Sequence, residues 1–561
     1  MKHLFHFLAL LALGLGSRAT HAQAPTFDYA VTCASGDGRT TNGWGPTALV
    51  ADRRGNTYVA GQFEGTIALG NTLLSVSPSF YGVFVAKLDV AGNYVWAVQI
   101  NDGQQALASA LTVDSVGGVY LVGTFRSHSV QFGPGGPVLF NSSANNEGFV
   151  AKFDAASGQC SWARRVGGTG PDELNKVVVG PAGDLYVLGS VATATTAGPF
   201  PLAGPMVYLA KLNPAGTWLW ARSVGAGAEH LAIDAQGDLY VAGSFSSTAS
   251  FGAITLTTRT VPGSYYDQYG HELFVAKTND AGAWLWAVQG DAVTQRNIIF
   301  PFSLAYDGSG HLYVGGYYVS AAARIGATVM PNLSARLPSP PNSPVYYPNN
   351  YGADAFVARL DAGTGQWDWA VRNGGVGNEG VVNTVADARG QLHLTGNLLD
   401  PTPNAGRFQF ARLDGATGTW QGFFPLDTVY VTALALDGRQ RLNMAGGFHS
   451  RTVRFGPHVL ASAGPGTTTG FVARAAATPL ATTRPTAQGN TGLQLWPNPA
   501  QGAVWVQGPP SGQRVTVLDV LGRPLGEGTM PAAGPLRLPL ALSPGLYLVR
   551  AGQQLQRLVL E

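Results

Sequence analysis

Apolar and polar residues alternate along most of this chain, in short runs separated by glycine-containing turns. The segment Ala48–Gly61 reads ALVADRRGNTYVAG, in which two alternating runs flank a turn of the type Asp-x-x-Gly-Asn. Alternation with a period of two residues, rich in Val and Tyr, predicts β-strands, and the Asp and Gly between them predict a tight hairpin turn. Six further copies of this segment follow, at 110–123, 176–189, 230–243, 303–316, 384–396 and 433–446.

A second hairpin follows each copy. FVAKLDVAGNYVWAV at 84–98 recurs at 149–166, 208–224, 274–288 and 356–371, more weakly at 410–423, and without its Trp strand at 471–480. Each repeat therefore predicts four short strands, which we name a, b, c and d. In the first repeat they are Ala48–Ala51, Thr57–Gly61, Phe84–Leu88 and Tyr94–Val98.

Seven such units predict an all-β fold in which residues 23–477 form a seven-bladed β-propeller. The seventh repeat lacks strand d, but TFDYAVTCASGDG at 26–38 is similar to the first strand d and its linker at 93–103. We therefore expect this N-terminal strand to complete the last blade beside Phe471–Arg474 and to close the ring. An open solenoid is the alternative, although a solenoid would not need an orphan strand d at its start.

These repeats resemble the bacterial SBBP-type β-propeller family. The shared pattern is Asp-x-x-Gly-Asn-x-Tyr-Val-x-Gly, then Phe-Val-Ala-Lys-Leu-Asp and a Trp strand, and both halves recur through the repeats. His393 and Asn443 depart from the pattern, because they replace the strand-b Tyr of the last two repeats. The resemblance implies a propeller and often a surface or extracellular location, but no single activity.

Residues 1–22 are typical of a secretory signal peptide. Lys2 and His3 precede an almost wholly apolar run at 4–15, and Thr20 and Ala22 suit cleavage before Gln23. A retained N-terminal anchor is the alternative. No other stretch is apolar enough to span a bilayer, so we expect no transmembrane segment in the mature chain. The net charge of +2 gives no indication of a nucleic-acid partner.

The C-terminal part has a different pattern. Residues 478–492 are rich in Thr, Pro, Ala and Gly and predict a linker, and the short alternating strands of 493–561 predict a small Ig-like β-sandwich. This module resembles the type A sorting domain of the type IX secretion system of Bacteroidetes. The matching motifs include Pro497, Asn498, Pro499, Gly522, Arg523, Pro544, Gly545 and Tyr547.

The resemblance to a sorting domain implies a partner and a location. It implies export across the outer membrane by the type IX machinery, removal of the domain near the linker, and release or attachment at the cell surface. An ordinary adhesive β-sandwich is the alternative.

A search for catalytic motifs finds no Gly-x-Ser-x-Gly elbow and no His-Glu-x-x-His metal helix. We therefore predict no catalytic residue, no metal site and no cofactor. The histidines are scattered, and a structural role explains His230 and His311 better than a ligand role. Cys33 and Cys160 fall in or beside d strands of blades that are not neighbours, so we expect no disulfide between them.

Two chemical features recur from blade to blade. A basic residue follows Phe-Val-Ala or its variants in every repeat, at Lys87, Lys152, Lys211, Lys277, Arg359, Arg412 and Arg474. Acidic residues lie in or near the d-to-a linkers, at Asp37, Asp102, Asp172, Glu173, Glu229, Asp291, Glu379 and Asp427. An anion-binding ring and a cation site are the functional interpretations. We favour the structural ones, in which cationic stems cover apolar surface and carboxylates accept backbone N–H groups.

The b-to-c insertions of blades 4 and 5 are long and aromatic. They contain Tyr265, Tyr266 and Tyr269 within 261–272, and Tyr346, Tyr347 and Tyr351 within 335–354. Strand alternation places both loops on the face that holds the d-to-a linkers. Tyr and Asn offer flat apolar contact and adaptable hydrogen bonds, so these six tyrosines are candidate ligand-binding residues. A loop folded over the channel mouth is the alternative.

Together these patterns predict a secreted or outer-membrane surface-attached propeller that is not an enzyme and that binds a glycan or an extracellular protein. A structural surface protein without a specific ligand is one alternative. A secreted enzyme acting on polysaccharide or peptide, with its site on the b-to-c loop face, is another, because a propeller fold does not exclude catalysis.

Overall fold

The computed structural model describes residues 25–35, 45–77, 80–101, 105–141, 143–258, 271–292, 298–333, 352–375, 378–398, 407–426, 428–462, 464, 468–476, 493–496, 503–507, 511–519, 523–532, 535–540, 542–543, 545–552 and 554–560. In these residues the chain forms forty-seven β-strands. The described residues contain no helix that is long and apolar enough to cross a membrane. The prediction of an all-β chain is confirmed. The chain divides into two compact units, Met1–Thr478 and Pro479–Glu561.

The first unit begins with an isolated strand and continues with blades that contain strands a and b, a short hairpin, and strands c and d. The isolated strand is β1 (Phe27–Ser35). Blade 1 comprises β2 (Pro46–Ala51), β3 (Thr57–Glu64), β4 (Thr66–Leu69), β5 (Thr72–Ser75), β6 (Tyr81–Leu88) and β7 (Tyr94–Asn101). Blade 2 comprises β8 (Ala106–Val113), β9 (Gly118–Phe125), β10 (Ser129–Phe132), β11 (Val138–Phe140), β12 (Glu147–Asp154) and β13 (Cys160–Val166).

Blades 3, 4 and 5 have the same order. Blade 3 comprises β14 (Asp172–Val179), β15 (Leu185–Val191), β16 (Thr195–Ala197), β17 (Phe200–Leu202), β18 (Met206–Leu212) and β19 (Trp218–Ser223). Blade 4 comprises β20 (Gly227–Ile233), β21 (Leu239–Phe245), β22 (Thr248–Phe251), β23 (Ile254–Thr257), β24 (Glu272–Thr278) and β25 (Trp284–Ala292). Blade 5 comprises β26 (Ile299–Tyr306), β27 (His311–Tyr318), β28 (Ala322–Ile325), β29 (Thr328–Pro331), β30 (Asp354–Asp361) and β31 (Trp367–Asn373).

Blade 6 shows no b-to-c hairpin in its described residues, and blade 7 takes its strand d from the other end of the unit. Blade 6 comprises β32 (Gly380–Ala386), β33 (Gln391–Leu398), β34 (Arg407–Asp414) and β35 (Trp420–Pro425). Blade 7 comprises β36 (Val429–Leu436), β37 (Leu442–Phe448), β38 (Thr452–Phe455), β39 (His458–Ala461) and β40 (Thr469–Ala475), together with β1.

The blades form a closed ring. In each blade the strands pair antiparallel in the order a, b, c, d. Strand a of each blade contacts strand a of the next, from β2 through β8, β14, β20, β26 and β32 to β36, and β36 contacts β2. This closed ring of innermost strands is a β-propeller, and it excludes the open solenoid.

The N-terminal strand completes the last blade. β1 pairs antiparallel with β40, with Tyr29 opposite Arg474 and Cys33 opposite Gly470. Because β1 lies before blade 1 in the sequence and pairs within blade 7, the first and last blades are held together by the chain itself.

Three of the b-to-c hairpins pair with the neighbouring blade at the outer edge, which the sequence pattern did not predict. β4 pairs with β1 of blade 7, β10 pairs with β7 of blade 1, and β28 pairs with β25 of blade 4. Each of these hairpins therefore adds a strand to strand d of the preceding blade. Gly70 forms the turn of the first hairpin with a φ of 62°. A Cβ there would lie 2.9 Å from Cβ of Tyr94, so glycine is required on both grounds.

Several of the strand-c basic residues connect one blade to the next. In blade 2, Asp114 accepts the hydroxyl hydrogen bond of Tyr120 (2.8 Å), and the Lys152 ammonium lies 5.1 Å from the centre of the Tyr120 ring. Lys152 Nζ then donates to the carbonyl oxygen of Pro214 in blade 3 (3.3 Å). Lys87 Nζ donates in the same way to Ala155 O of blade 2 (2.7 Å). These two lysines make inter-blade contacts, whereas Lys277 pairs with Asp238 of its own blade (2.9 Å). All three ammonium groups lie over the strand-b Tyr of their own blade, in line with the structural interpretation.

Blade 3 lacks the first Asp of the a-to-b turn, and a residue of blade 4 takes its place. Gly180 stands where other blades have the a-to-b turn Asp. Asp280, from the c-to-d turn of blade 4, instead accepts hydrogen bonds from Tyr186 and Lys211. The carboxylate that blade 3 lacks is therefore supplied across the blade boundary.

Arg474 makes the corresponding contact where the ring closes. Its guanidinium is fully buried and donates to Gly55 O (2.6 Å), Thr57 Oγ1 (2.8 Å) and Val90 O (3.1 Å), all in blade 1. Nε donates to Asn443 Oδ1 (2.8 Å). Asn443, which breaks the strand-b Tyr pattern, is therefore the acceptor that a buried guanidinium needs.

The second unit is a small β-structure with its own core. It comprises β41 (Gln494–Trp496), β42 (Ala503–Gln507), β43 (Arg514–Leu518), β44 (Pro524–Thr529), β45 (Leu536–Pro539), β46 (Gly545–Ala551) and β47 (Gln554–Leu560). These strands form a three-stranded sheet, β41-β42-β45, and a four-stranded sheet, β44-β43-β46-β47. Val504, Val517, Val549 and Leu558 are buried in one apolar cluster.

Replacing Arg474 should weaken ring closure more than the equivalent change elsewhere. Arg474→Met removes the bonds to Gly55 and Val90 and leaves buried acceptors without a donor, so we expect a loss of about 3 kcal/mol in the free energy of unfolding. Chemical denaturation measures it. Arg412→Met, at the same position of blade 6, is the control, because the Arg412 guanidinium stacks on Phe410 and Phe424. An equal loss for both variants would contradict the special role of Arg474.

Candidate functional site

The six predicted ligand-binding tyrosines lie outside the described residues. Tyr265, Tyr266 and Tyr269 fall in 259–270, and Tyr346, Tyr347 and Tyr351 fall in 334–351. Their role stays a prediction. The described residues on the b-to-c face of blades 4 and 5 include a group of side chains that the sequence pattern did not predict as a site.

A β-bulge near the start of every strand a produces this group. At the bulge the strand holds one extra residue that has no partner on strand b. The bulge residues are Thr47, Ser109, Asn175, Glu229, Phe302, Val382 and Thr432. Glu229 in blade 4 and Phe302 in blade 5 are exposed, whereas the other five are half-buried. An acid and a large aromatic thus occupy equivalent positions in adjacent blades.

The carbonyl before each bulge is free to accept a hydrogen bond from the neighbouring blade. Thr47 Oγ1 donates to Ala108 O (2.8 Å), and Thr432 Oγ1 donates to Pro46 O (2.6 Å). His230 Nε2 lies 3.2 Å from Pro301 O in blade 5. Burial lowers the pKa of His230 to about 3, so the ring is neutral and serves as a donor. His230 therefore has the structural role that the sequence indicated.

The exposed Phe302 belongs to a row of four aromatic rings. The Phe302 and Tyr317 ring centres lie 5.1 Å apart, and Phe300 stacks on Tyr317 at 5.8 Å with an interplanar angle of 24°. His271 lies 5.0 Å from Phe300. Phe302 is 41% exposed, so one aromatic surface of the group is open to solvent. We call Glu229, His271, Phe300, Phe302 and Tyr317 the aromatic–acid cluster.

The charges around Glu229 act on one another. Partial loss of water around the carboxyl raises the pKa of Glu229, and the positive charges of Lys176 and His271 offset part of that rise. Burial lowers the pKa of Lys176, and Glu229 opposes this effect. Burial and the Glu229 charge raise the pKa of Tyr317. The cluster therefore combines an exposed aromatic surface with the Glu229 carboxyl, a hydrogen-bond acceptor whose pKa depends on the neighbouring charges.

A cleft on blade 3 lies on the same face. Its volume is about 690 Å³, and it is lined by Glu173, Met206 and Pro205 among others. Gly225–Gly227, the linker that leads to Glu229, forms part of its wall. The cleft and the cluster thus share one segment of backbone.

Among the linker acids that are described, Asp172 fits the structural interpretation. Asp172 is buried and accepts hydrogen bonds from the backbone N–H groups of Gly168 (2.7 Å) and Ala192 (3.2 Å). Asp291 lies 3.5 Å from Arg324. Asp37, Asp102 and Asp427 lie outside the described residues. Among the described residues no three His, Cys, Asp or Glu side chains are grouped closely enough to hold a metal ion.

The other residues noted in the sequence have local partners. His311 Nδ1 lies 2.9 Å from Asp307 in the a-to-b turn of blade 5. Cys33 and Cys160 are free thiols, and Cys33 Sγ lies 3.0 Å from the Tyr94 hydroxyl. Burial raises the pKa of each thiol to about 12, so neither is a ready nucleophile.

Three residues of the proposed sorting motifs are described, and two of them stabilise turns. Arg523 donates through its backbone N (2.9 Å) and Nε (2.7 Å) to the Asp519 carboxylate. The Tyr547 hydroxyl donates to Ser543 O (2.7 Å), and Gly545 begins β46. Pro497, Asn498, Pro499, Gly522 and Pro544 lie outside the described residues.

Among known proteins, the regulatory protein FlaEY of Caulobacter vibrioides is 27% identical to the chain over 390 residues. The match covers 66% of this chain and 37% of FlaEY, so the chain spans little more than a third of that relative's length. No model of a protein family matches the chain.

Solved structures similar to the chain include β-propellers. The WD40 repeats of RRP9 are 10% identical and share a TM-score of 0.41, with 81% of this chain and 99% of that chain covered. The Dos1 propeller is 9% identical, with a TM-score of 0.37 and coverages of 80% and 94%. PorZ, a surface component of the type IX secretion system of Porphyromonas gingivalis, is 12% identical, with a TM-score of 0.30 and coverages of 91% and 70%.

His230 should make the stability of the protein depend on pH. Its pKa is about 3 in the folded chain and about 6.5 in the unfolded chain, so the unfolded chain binds more protons between these values. Stability therefore falls as pH falls, by about 2 kcal/mol between pH 7 and pH 5 from this group. We expect His230→Gln, which keeps an N–H donor, to lose that part of the pH dependence in urea denaturation. An unchanged difference between the two pH values would contradict a neutral, buried His230.

Proposed function

We propose that this chain is a secreted or surface-attached β-propeller that binds a glycan through the aromatic–acid cluster and the flanking loops of blades 4 and 5. The open Phe302–Tyr317 surface beside the Glu229 carboxyl is the observation that carries this proposal. A sugar ring presents an apolar C–H face, which stacks on an aromatic ring, and hydroxyl groups, which donate to a carboxylate. The six tyrosines at 265–269 and 346–351 would extend the same surface.

Two features favour binding over a purely structural role. The other bulge positions hold half-buried Thr, Ser, Asn or Val, so an exposed Phe is not needed for the ring. Adjoining aromatic rings beside a carboxyl group also match the composition of binding surfaces, which combine apolar contact with a few polar groups. A protein ligand would use the same surface, and a protein-binding screen is the natural second experiment.

An enzyme acting on polysaccharide is the second candidate function. Burial raises the pKa of Glu229, which is the direction that a general acid requires. Most glycosidases, however, use a pair of carboxylates, and the cluster contains one. We therefore place binding first. Release of reducing ends from a bound polysaccharide by the wild type, together with loss of this release in Glu229→Gln, would instead favour the enzyme.

Removing the aromatic surface should abolish glycan binding. In a glycan-array screen of the full chain, followed by titration with the glycan retained, we expect Phe302→Ala/Tyr317→Ala to bind at least tenfold more weakly than the wild type. The loss follows from removal of the stacking surface. The control is His128→Ala/Phe140→Ala, which removes an exposed pair of aromatic rings from blade 2, with ring centres 6.2 Å apart.

The outcomes separate the interpretations. Equal weakening by both double variants would contradict a site at blades 4 and 5. No glycan bound by the wild type would contradict the glycan proposal and leave protein ligands for the second screen. Thermal unfolding of both variants checks that each retains its fold.

We also propose export through the type IX secretion system, which rests on the order of the three C-terminal motifs in the sequence. Deleting residues 493–561 should leave the chain in the periplasm of a host that carries this system, because the machinery would lose the segment it recognises. Immunoblots of periplasmic and culture fractions measure the distribution. Unchanged secretion of the truncated chain would contradict the sorting role.

A further inference from the structure

The face opposite the aromatic–acid cluster carries an uneven distribution of charge. The a-to-b turns lie on this face, and those of blades 6, 7 and 1 span 387–391, 437–441 and 52–56. These three turns contain five arginines. The corresponding turns of blades 2, 3, 4 and 5, at 114–118, 180–184, 234–238 and 307–311, contain neither Lys nor Arg and hold five aspartates.

Ring closure brings the three arginine-containing turns into contact. The backbone N–H of Gly438 in blade 7 donates to Asp52 O in blade 1 (3.4 Å). The backbone N–H of Ala388 in blade 6 donates to Gln440 Oε1 in blade 7 (2.7 Å). The three turns therefore form one continuous surface, although their residues come from the two ends of the propeller sequence.

The aspartates of these turns bind the turn backbone, and four of the five arginines face outward; the fifth, Arg441, pairs with Asp437. Asp437 is 2% exposed, and its carboxylate accepts the backbone N–H groups of Arg439 and Arg441. Asp387 and Asp52 hold their own turns in the same way. Four arginines are exposed and form no ion pair with another described residue: Arg53, Arg54, Arg389 and Arg439. We call these four residues the basic turn patch.

We propose that the basic turn patch binds an acidic polysaccharide, one that carries sulfate, phosphate or carboxylate groups along its chain. A guanidinium donates two parallel hydrogen bonds to such an oxyanion, and repeated groups on one polymer engage several arginines at once. Arg53 and Arg54 also line a cavity of about 910 Å³ between the turns of blades 1 to 5. The rest of that cavity is lined by Asp114, Asp154 and Asp234, which repel an anionic polymer, so we expect the ligand to stay on the patch.

The composition of the three turns favours a soluble polymer over a lipid surface. Apart from arginine they contain only Asp, Asn, Gln, Ala and Gly, so they present no large apolar side chain. Proteins that bind a membrane surface usually insert Trp, Phe or Leu beside their basic residues. The site is separate from the proposed glycan site, because the a-to-b turns and the b-to-c loops lie at opposite ends of the strands.

Binding of the full chain to immobilised dextran sulfate, with neutral dextran as reference, tests the proposal. We expect binding by the wild type that weakens steeply with added salt. Substituting all four patch residues, Arg53→Gln, Arg54→Gln, Arg389→Gln and Arg439→Gln, should weaken it at least tenfold. The matched control removes the same charge from four other exposed arginines, as Arg126→Gln, Arg222→Gln, Arg451→Gln and Arg454→Gln, and should change binding less than twofold.

Three results would overturn the proposal. Equal weakening by both quadruple variants would show that overall charge, not the patch, attracts the polymer. Absence of dextran sulfate binding by the wild type would exclude the site. Binding to phosphatidylglycerol vesicles but not to dextran sulfate would replace the polysaccharide with a lipid surface. Retained dextran sulfate binding in Phe302→Ala/Tyr317→Ala would support two independent sites.

Discussion

At several blade boundaries a cation on strand c reaches the next blade, and closure of the ring depends on one such contact. Lys87 and Lys152 donate to carbonyls of the following c-to-d turn, and each ammonium lies over the Tyr of its own blade. Arg474 makes this contact where the first and last blades meet, and it is the one fully buried guanidinium among the described residues. A planar group with several donors suits this position because it must bond two turns of blade 1 and strand b of its own blade at once.

The same closure explains two departures from the repeat pattern. Asn443 replaces a Tyr in blade 7 because the Arg474 guanidinium needs an acceptor there, and its Oδ1 atom supplies one. Gly180 removes a turn carboxylate from blade 3, and Asp280 of blade 4 replaces it. In both places the energetic requirement is that a buried polar group has a partner, whichever blade provides it.

The two ends of the ring offer different chemistry to ligands. The b-to-c face presents the Phe302–Tyr317 surface beside a carboxyl group, and the a-to-b face of blades 6, 7 and 1 presents four exposed guanidinium groups. Both surfaces arise at positions that recur in every blade. Glu229 and Phe302 lie at the strand-a bulge, and the exposed arginines lie in the a-to-b turn. The scaffold tolerates this variation because the bulge side chain and the middle of the turn carry none of the strand pairing.

The sequence by itself determined the strands, their turns and the closing role of residues 26–38, because alternation and turn chemistry depend on residues only a few positions apart. It also indicated the structural roles of His230 and the strand-c lysines. It did not reveal that β4, β10 and β28 pair with the preceding blade, or that Glu229 and Phe302 occupy equivalent bulges next to Tyr317. It did not reveal that Arg53 and Arg439 share one surface. These contacts depend on the register between blades and on closure of the ring, which only the tertiary structure decides, since no local pattern specifies which distant carbonyl or side chain will be adjacent.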